Sequence, residues 1–148
     1  MAGSFTDYIE KGVLDTLFGS NSVALSTGNF GTLYIGLYES TATPGDTLTA
    51  LTSGECLGST YARKSFTNST ATWCNTTLGT GIKKLKAAIV FTTAAGSDWG
   101  IIGSFAILDT DSTSAGNALC YSTLTGGSKV INAGDSVTIT TDLTITLG

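Results

Sequence analysis

From Ser136 to Leu147, apolar and polar side chains alternate, with Thr141 the one polar residue on the apolar side. Val137, Ile139, Thr141, Leu143, Ile145 and Leu147 take one side. Ser136, Thr138, Thr140, Asp142, Thr144 and Thr146 take the other. A period of two puts successive side chains on opposite faces of a strand, one against a core and one in water. The stretch therefore predicts one half-buried antiparallel strand, bent near Asp142. The composition agrees. Charged residues make up only 12% of the 148 positions, glycine occurs 19 times, and Pro44 is the single proline. Plentiful threonine and glycine suit short strands joined by tight turns, and suit long helices poorly.

Other segments repeat the pattern. Leu33, Ile35 and Leu37 alternate with Tyr34, Gly36 and Tyr38, which predicts a strand with two usable faces. Short strands are expected over 60–66, 70–74, 85–92 and 118–124, and a largely buried one over 99–108. Residues 39–59, with the turn signal Pro44-Gly45, read as a long loop. The exception to the β pattern lies at the start. Phe5, Tyr8, Ile9, Val13, Leu14, Leu17 and Phe18 recur at helical spacing, Ser4 and Asp7 resemble a capping box, and Gly19 is a natural stop. The prediction is one domain, 1–148, with an N-terminal amphipathic helix over 1–19. An antiparallel β-sandwich or barrel-like domain follows over 32–148.

The charge pattern and residue inventory exclude several functions. A net charge of −4 argues against nucleic-acid binding, which needs a basic footprint. No apolar run approaches the roughly 20 residues of a membrane-spanning helix, and residues 1–8 do not read as a signal peptide. There is no histidine, which removes the commonest general base and the commonest metal ligand. Cys56, Cys74 and Cys120 are odd in number and irregular in spacing, so they form neither a disulfide framework nor a zinc motif. Asp109, Asp111 and Thr113 begin like a calcium loop. The pattern then fails, with Ser114 where glycine is needed and Cys120 where the bidentate glutamate should stand. Gly126, Gly127 and Lys129 lack the spacing of a phosphate loop. No catalytic residue, cofactor or metal is expected.

What remains is contact. A surface so poor in charge is risky for a free monomer, so cover by partners is expected, copies of the same chain included. Phe5, Tyr8, Ile9 and Leu14 are the candidate apolar assembly contacts. Arg63 and Lys64 are the candidate polar ones, forming one basic patch with Lys83, Lys84 and Lys86 if their strands are neighbours. Trp73 and Trp99 read as core residues, with a carbohydrate platform as the alternative.

Several short segments, in order along nearly the whole chain, carry a resemblance. They are Phe5 to Tyr8 with Leu14, Thr32 to Tyr38, and Tyr61 to Arg63. Farther on come Asp98 to Gly100 with Phe105 and Asp109, Gly116-Asn117 with Leu119, and Asp142 to Leu147. In these the chain resembles small tailed-phage virion proteins, a class labelled loosely as tail-fibre proteins and similar to capsid cement or decoration proteins. The cluster Lys83 to Lys86 and the three cysteines depart from that pattern. The resemblance implies no catalytic residues. It implies a protein made in the host bacterial cytoplasm and built into the virion. The leading expectation is a capsid cement protein, homo-oligomeric (a trimer is one candidate) and bridging copies of the major capsid protein. A tail or tail-fibre subunit is the alternative, and a carbohydrate-binding β-sandwich the further one.

Overall fold

The computed structural model describes residues 2–5, 9, 13, 30–39, 54–69, 71–74, 82–91, 96–113 and 116–146. Among these, ten strands follow one another: β1 (Ala2–Phe5), β2 (Thr32–Glu39), β3 (Lys64–Thr67), β4 (Ile82–Lys84), β5 (Ile89–Phe91), β6 (Gly100–Leu108), β7 (Ala118–Thr123), β8 (Lys129–Ile131), β9 (Val137–Ile139) and β10 (Thr144–Thr146). Eight of them form a sheet in the order β3-β2-β6-β7-β1-β10-β4, with β8 paired to β6. The other two, β5 and β9, form a ribbon. The end strands β3 and β4 do not pair with each other, so the described residues form no closed barrel. Most pairings are antiparallel, and β1 with β10 is the parallel one.

The long β6 organises the sheet. Its second half pairs with β2 on one side, Ile35 opposite Ile107 and Leu37 opposite Phe105, and with β7 on the other, Ile107 opposite Cys120. Its first half pairs with β8, so β7 and β8 run along β6 in turn, interrupted by the turn at Thr125 to Ser128. Both faces of these central strands are covered. Leu33, Ile35, Leu37, Phe105, Ile107 and Cys120 belong to the main core. Tyr38, Ala106, Leu108 and Ala118 form a second cluster, with Tyr121 packed against it. Two-sided burial explains why 105–108 is continuously apolar rather than alternating.

Three expectations change. The short strand expected over 70–74 is a turn at Ala71 and Thr72 followed by one β-bridge, Trp73 to Leu85. The helix expected over 1–19 does not begin as read. Ser4 and Phe5 lie in β1, where Ser4 pairs with Tyr121 and Phe5 with Cys120. Ala2 and Gly3 pair with β10 instead, so β1 joins two parts of the sheet. The backbone bonds of a strand gap outweigh a local capping signal there. The other helix positions lie outside the described residues, apart from Ile9, buried in the main core, and Val13, which is exposed. The C-terminal alternation is two strands rather than one. A turn at Thr140 to Leu143, closed by the Leu143 amide donating to the Thr140 carbonyl, sends β9 to the ribbon and β10 to the large sheet. Alternation survives the turn because Ile139 and Leu143 both face the core. The short strand β8 had no sequence prediction, and the long loop 39–59 contributes one β-bridge, Tyr38 to Glu55.

Phe105, 1% exposed in the middle of β6, is a direct test of this core. Phe105→Ala is expected to cost about 3–5 kcal/mol. Urea titration should show it as a lower midpoint at unchanged slope, and a loss below about 1 kcal/mol would contradict the packing described.

Candidate functional site

The densest polar construction is internal. Gly36 stands on β2 where a Cβ would come within 3.0 Å of the Glu55 Oε1. The bare glycine lets that carboxylate lie against the sheet beside the second cluster. Arg63 meets it with two bonds, Nε to Oε1 at 2.8 Å and a second guanidinium nitrogen to Oε2 at 2.7 Å. The remaining guanidinium nitrogen donates to the Thr110 carbonyl at 2.9 Å. The Tyr61 hydroxyl donates to Glu55 Oε1 at 2.9 Å and accepts the Leu37 amide at 2.8 Å. Side-chain exposure of the ion pair is 0% for Arg63 and 1% for Glu55. The carboxylate thus holds Tyr61 and Arg63 in place, and these two join segment 54–63 to β2 through the Leu37 amide and to the turn after β6 through the Thr110 carbonyl.

Burial sets the electrostatics. It works against the Arg63 charge, but the bonds and charge of Glu55 outweigh it, and the guanidinium pKa is raised. Burial, then the Glu55 charge, pushes the Tyr38 and Tyr61 hydroxyls well above the ordinary tyrosine range. The Tyr38 hydroxyl makes no hydrogen bond of sound geometry, although Arg63 stands near enough to lower its proton affinity slightly.

Around the pair, motif residues serve as fasteners. Tyr61, Phe91 and Trp99 pack ring on ring, Tyr61 edge-on to Trp99 at 5.7 Å. The Trp99 indole donates to Thr60 Oγ1, and a Cβ on Gly58 would fall 2.3 Å from the Trp99 ring. Asp109 accepts the Asn117 amide at 2.7 Å and its side-chain nitrogen at 2.8 Å, closing the β6–β7 turn. Gly116 has φ +96° there, and a Cβ would strike Thr110. Asp98 accepts the Ala133 amide at 2.8 Å and holds the turn between β8 and β9.

The expected contact residues are dispersed. Phe5 lies in β1, Ile9 is buried, and Tyr8 and Leu14 fall outside the described residues. Lys64 is half-buried in β3, while the Arg63 side chain is turned inward onto Glu55. Lys83, Lys84 and Lys86 are exposed, with Lys84 3.9 Å from Asp142. Strand β4 lies at the opposite end of the strand order from β3, so strand pairing does not join the lysines to Arg63 and Lys64. Trp73 and Trp99 are both core residues. Glu55 was missed because it sits in a stretch that reads as loop. A carboxylate eight residues before an arginine, in a chain this poor in charge, was its signal. The exposed apolar side chains include Leu57, Val90 and the cross-strand pair Ile101 and Val130. Among the described residues no cluster of His, Cys, Asp and Glu could hold a metal, and no helix is long and apolar enough to cross a membrane.

Glu55→Ala should cost about 3–5 kcal/mol by stranding a buried guanidinium. Combined with Arg63→Met, the loss should be clearly smaller than the sum of the single losses, measured by urea unfolding. Strict additivity would mean the pair is not coupled. The thiols give a second check. Burial raises the Cys56 pKa and pushes Cys120 up to about 12, whereas Cys74 is only half-buried. Iodoacetamide at mildly alkaline pH should label Cys74 first in the folded protein, as peptide mass mapping would show, because only thiolates react. Equal labelling of Cys120 would contradict its burial.

A comparison with curated proteins finds no match. The family model described as podophage GP4 fiber I protein gp80 matches residues 4–146. That span includes the Glu55–Arg63 brace, the Asp109–Asn117 clasp and strands β2 to β10. The chain therefore belongs to the podophage GP4 fiber I protein gp80 family, and is a phage virion structural protein.

Proposed function

We propose that the chain is a structural subunit of a podophage tail fibre, acting through contact and catalysing no reaction. The family match over 4–146 carries this reading, since the family's description names a fibre protein. That favours the fibre over the capsid cement first expected from sequence. The internal geometry is consistent with it. The buried ion pair, the aromatic trio and the closed β6–β7 turn tie loops to sheet rather than lining a reactive cleft. Burial of Trp73 and Trp99 removes the platforms on which the carbohydrate reading rested. The partners proposed are copies of the chain and other virion subunits, with neither nucleic acid nor membrane among them. Phe5, Tyr8, Leu14 and Lys64 stand as proposed contacts, while Ile9, buried in the main core, packs within the domain. Arg63 acts behind them by stiffening segment 54–63.

Gold-labelled antibody against the purified chain, applied to intact particles, tests the location. Label on the tail appendages is the expected result. Label confined to the head faces would overturn the fibre reading in favour of a capsid position.

A further inference from the structure

Among the described residues, strand β9 has one edge in use. Val137, Thr138 and Ile139 pair with Phe91, Val90 and Ile89 of β5. A groove of about 470 Å³ lies beside β9, lined in part by Ile102, Lys129 and Ile131. Its wall includes the five consecutive residues Ser136 to Thr140. A groove on one face of a strand would touch alternate residues. Contact with consecutive ones places it along the edge, where backbone N–H and C=O groups point outward. Such an edge is a template for one more strand. The ribbon is only two strands wide, which is marginal for a sheet and leaves room for a third.

We propose that this edge takes the same strand of a second copy, β9 pairing with β9 antiparallel about a twofold axis at Thr138. The sequence of the edge selects the occupant. Centred on Thr138, the pairing sets Ser136 against Thr140, Val137 against Ile139 and Thr138 against itself. Hydroxyl meets hydroxyl and β-branched apolar meets β-branched apolar, the combinations that stabilise cross-strand contacts. None of the five residues is charged and none is proline, so the usual guards of an edge strand are absent. A twofold normal to the sheet keeps faces matched. The partner's Val137 and Ile139 then lie on the core side, and Thr138 stays outside. A self-complementary patch of this kind is what an isologous interface requires. The inference goes beyond the fibre assignment and holds for either location on the particle.

Five residues bury less than the roughly 1,000 Å² expected of a stable interface. Free copies should therefore associate weakly, and more fully where assembly raises their local concentration. Two variants of the full chain test the pairing at Thr138, which is exposed. In the first, Thr138→Cys is placed on a Cys74→Ser background, and the Cys74→Ser protein is the control. The new thiols would face each other across the twofold, so oxidation or a short bismaleimide should give a covalent dimer that the control does not form. In the second, Thr138→Lys sets like charges opposite each other and should abolish the concentration-dependent dimer that sedimentation is expected to detect for the unaltered chain. Circular dichroism checks that both variants fold. Folded Thr138→Cys protein that yields no dimer beyond the control would overturn the proposal. So would a Thr138→Lys dimer as populated as that of the unaltered chain. Either result would assign the edge to another protein or to none.

Discussion

Burial of β2, β6 and β7 on both faces is the constraint on which the other elements depend. A sheet covered on one side can leave polar residues facing water. This one carries Tyr38, Ala106 and Leu108 on the face opposite its main core, and all three are fully buried. Segment 54–63 meets part of that need. It runs beside β2 with few apolar residues of its own, held there by the Tyr61 hydroxyl on the Leu37 amide and by backbone bonds from Glu39 to Gly54 and from Cys56 to Leu37, while the charged Glu55–Arg63 pair fixes the segment's own shape. The glycine at 36 gives the Glu55 carboxylate room against the sheet, since a Cβ there would stand 3.0 Å from it. Glu55 meets the buried Arg63 charge with both oxygens and so offsets the cost of keeping it in the interior. Sheet, glycine and ion pair form one arrangement.

That arrangement gives the motif residues their roles. Tyr61, Arg63, Trp99, Asp109, Gly116 and Asn117 stand out in the sequence, and each is engaged inside the domain. They close turns, fill the space between layers or satisfy buried backbone groups. A buried ion pair is weak evidence for net stability, since a well-packed apolar replacement can match it. Its clearer consequence is placement, because Glu55 holds Tyr61 on the Leu37 amide and Arg63 on the Thr110 carbonyl. A subunit whose task is contact benefits from loops held in one place, since less ordering is then left to the moment of assembly.

The exposed features differ in kind. Ile101 and Val130 form an apolar pair on the face of the sheet, and Lys83 and Lys84 lie at its end strand. The edge of β9 is instead backbone, uncharged and bordered by open space. Faces are recognised by shape and apolar area, edges by hydrogen bonding in a fixed direction. A fibre family protein built from an open sheet and a narrow ribbon thus carries both kinds of surface.

By itself, the sequence determined the class of fold and the absence of histidine chemistry. Period two at 33–38 and 136–147 made β structure unavoidable, because only a strand sorts those side chains by face. The same local pattern was blind to the turn at Thr140 to Leu143, which preserves alternation while moving the chain between sheets. It was blind to β8, three residues long and too short for a period to register. It placed Ser4 and Phe5 in a helix, because a capping signal is local and the strand gap that β1 fills is not. Among the candidate contacts, Arg63 was legible only as a cation beside Lys64. That its partner is Glu55 rather than another protein was decided by tertiary structure, since eight residues of sequence separation say nothing about which way a side chain turns. The free edge of β9 is the same case. Its uncharged, self-matching residues are written in the sequence, but whether a neighbour already occupies an edge depends on where the other strands end.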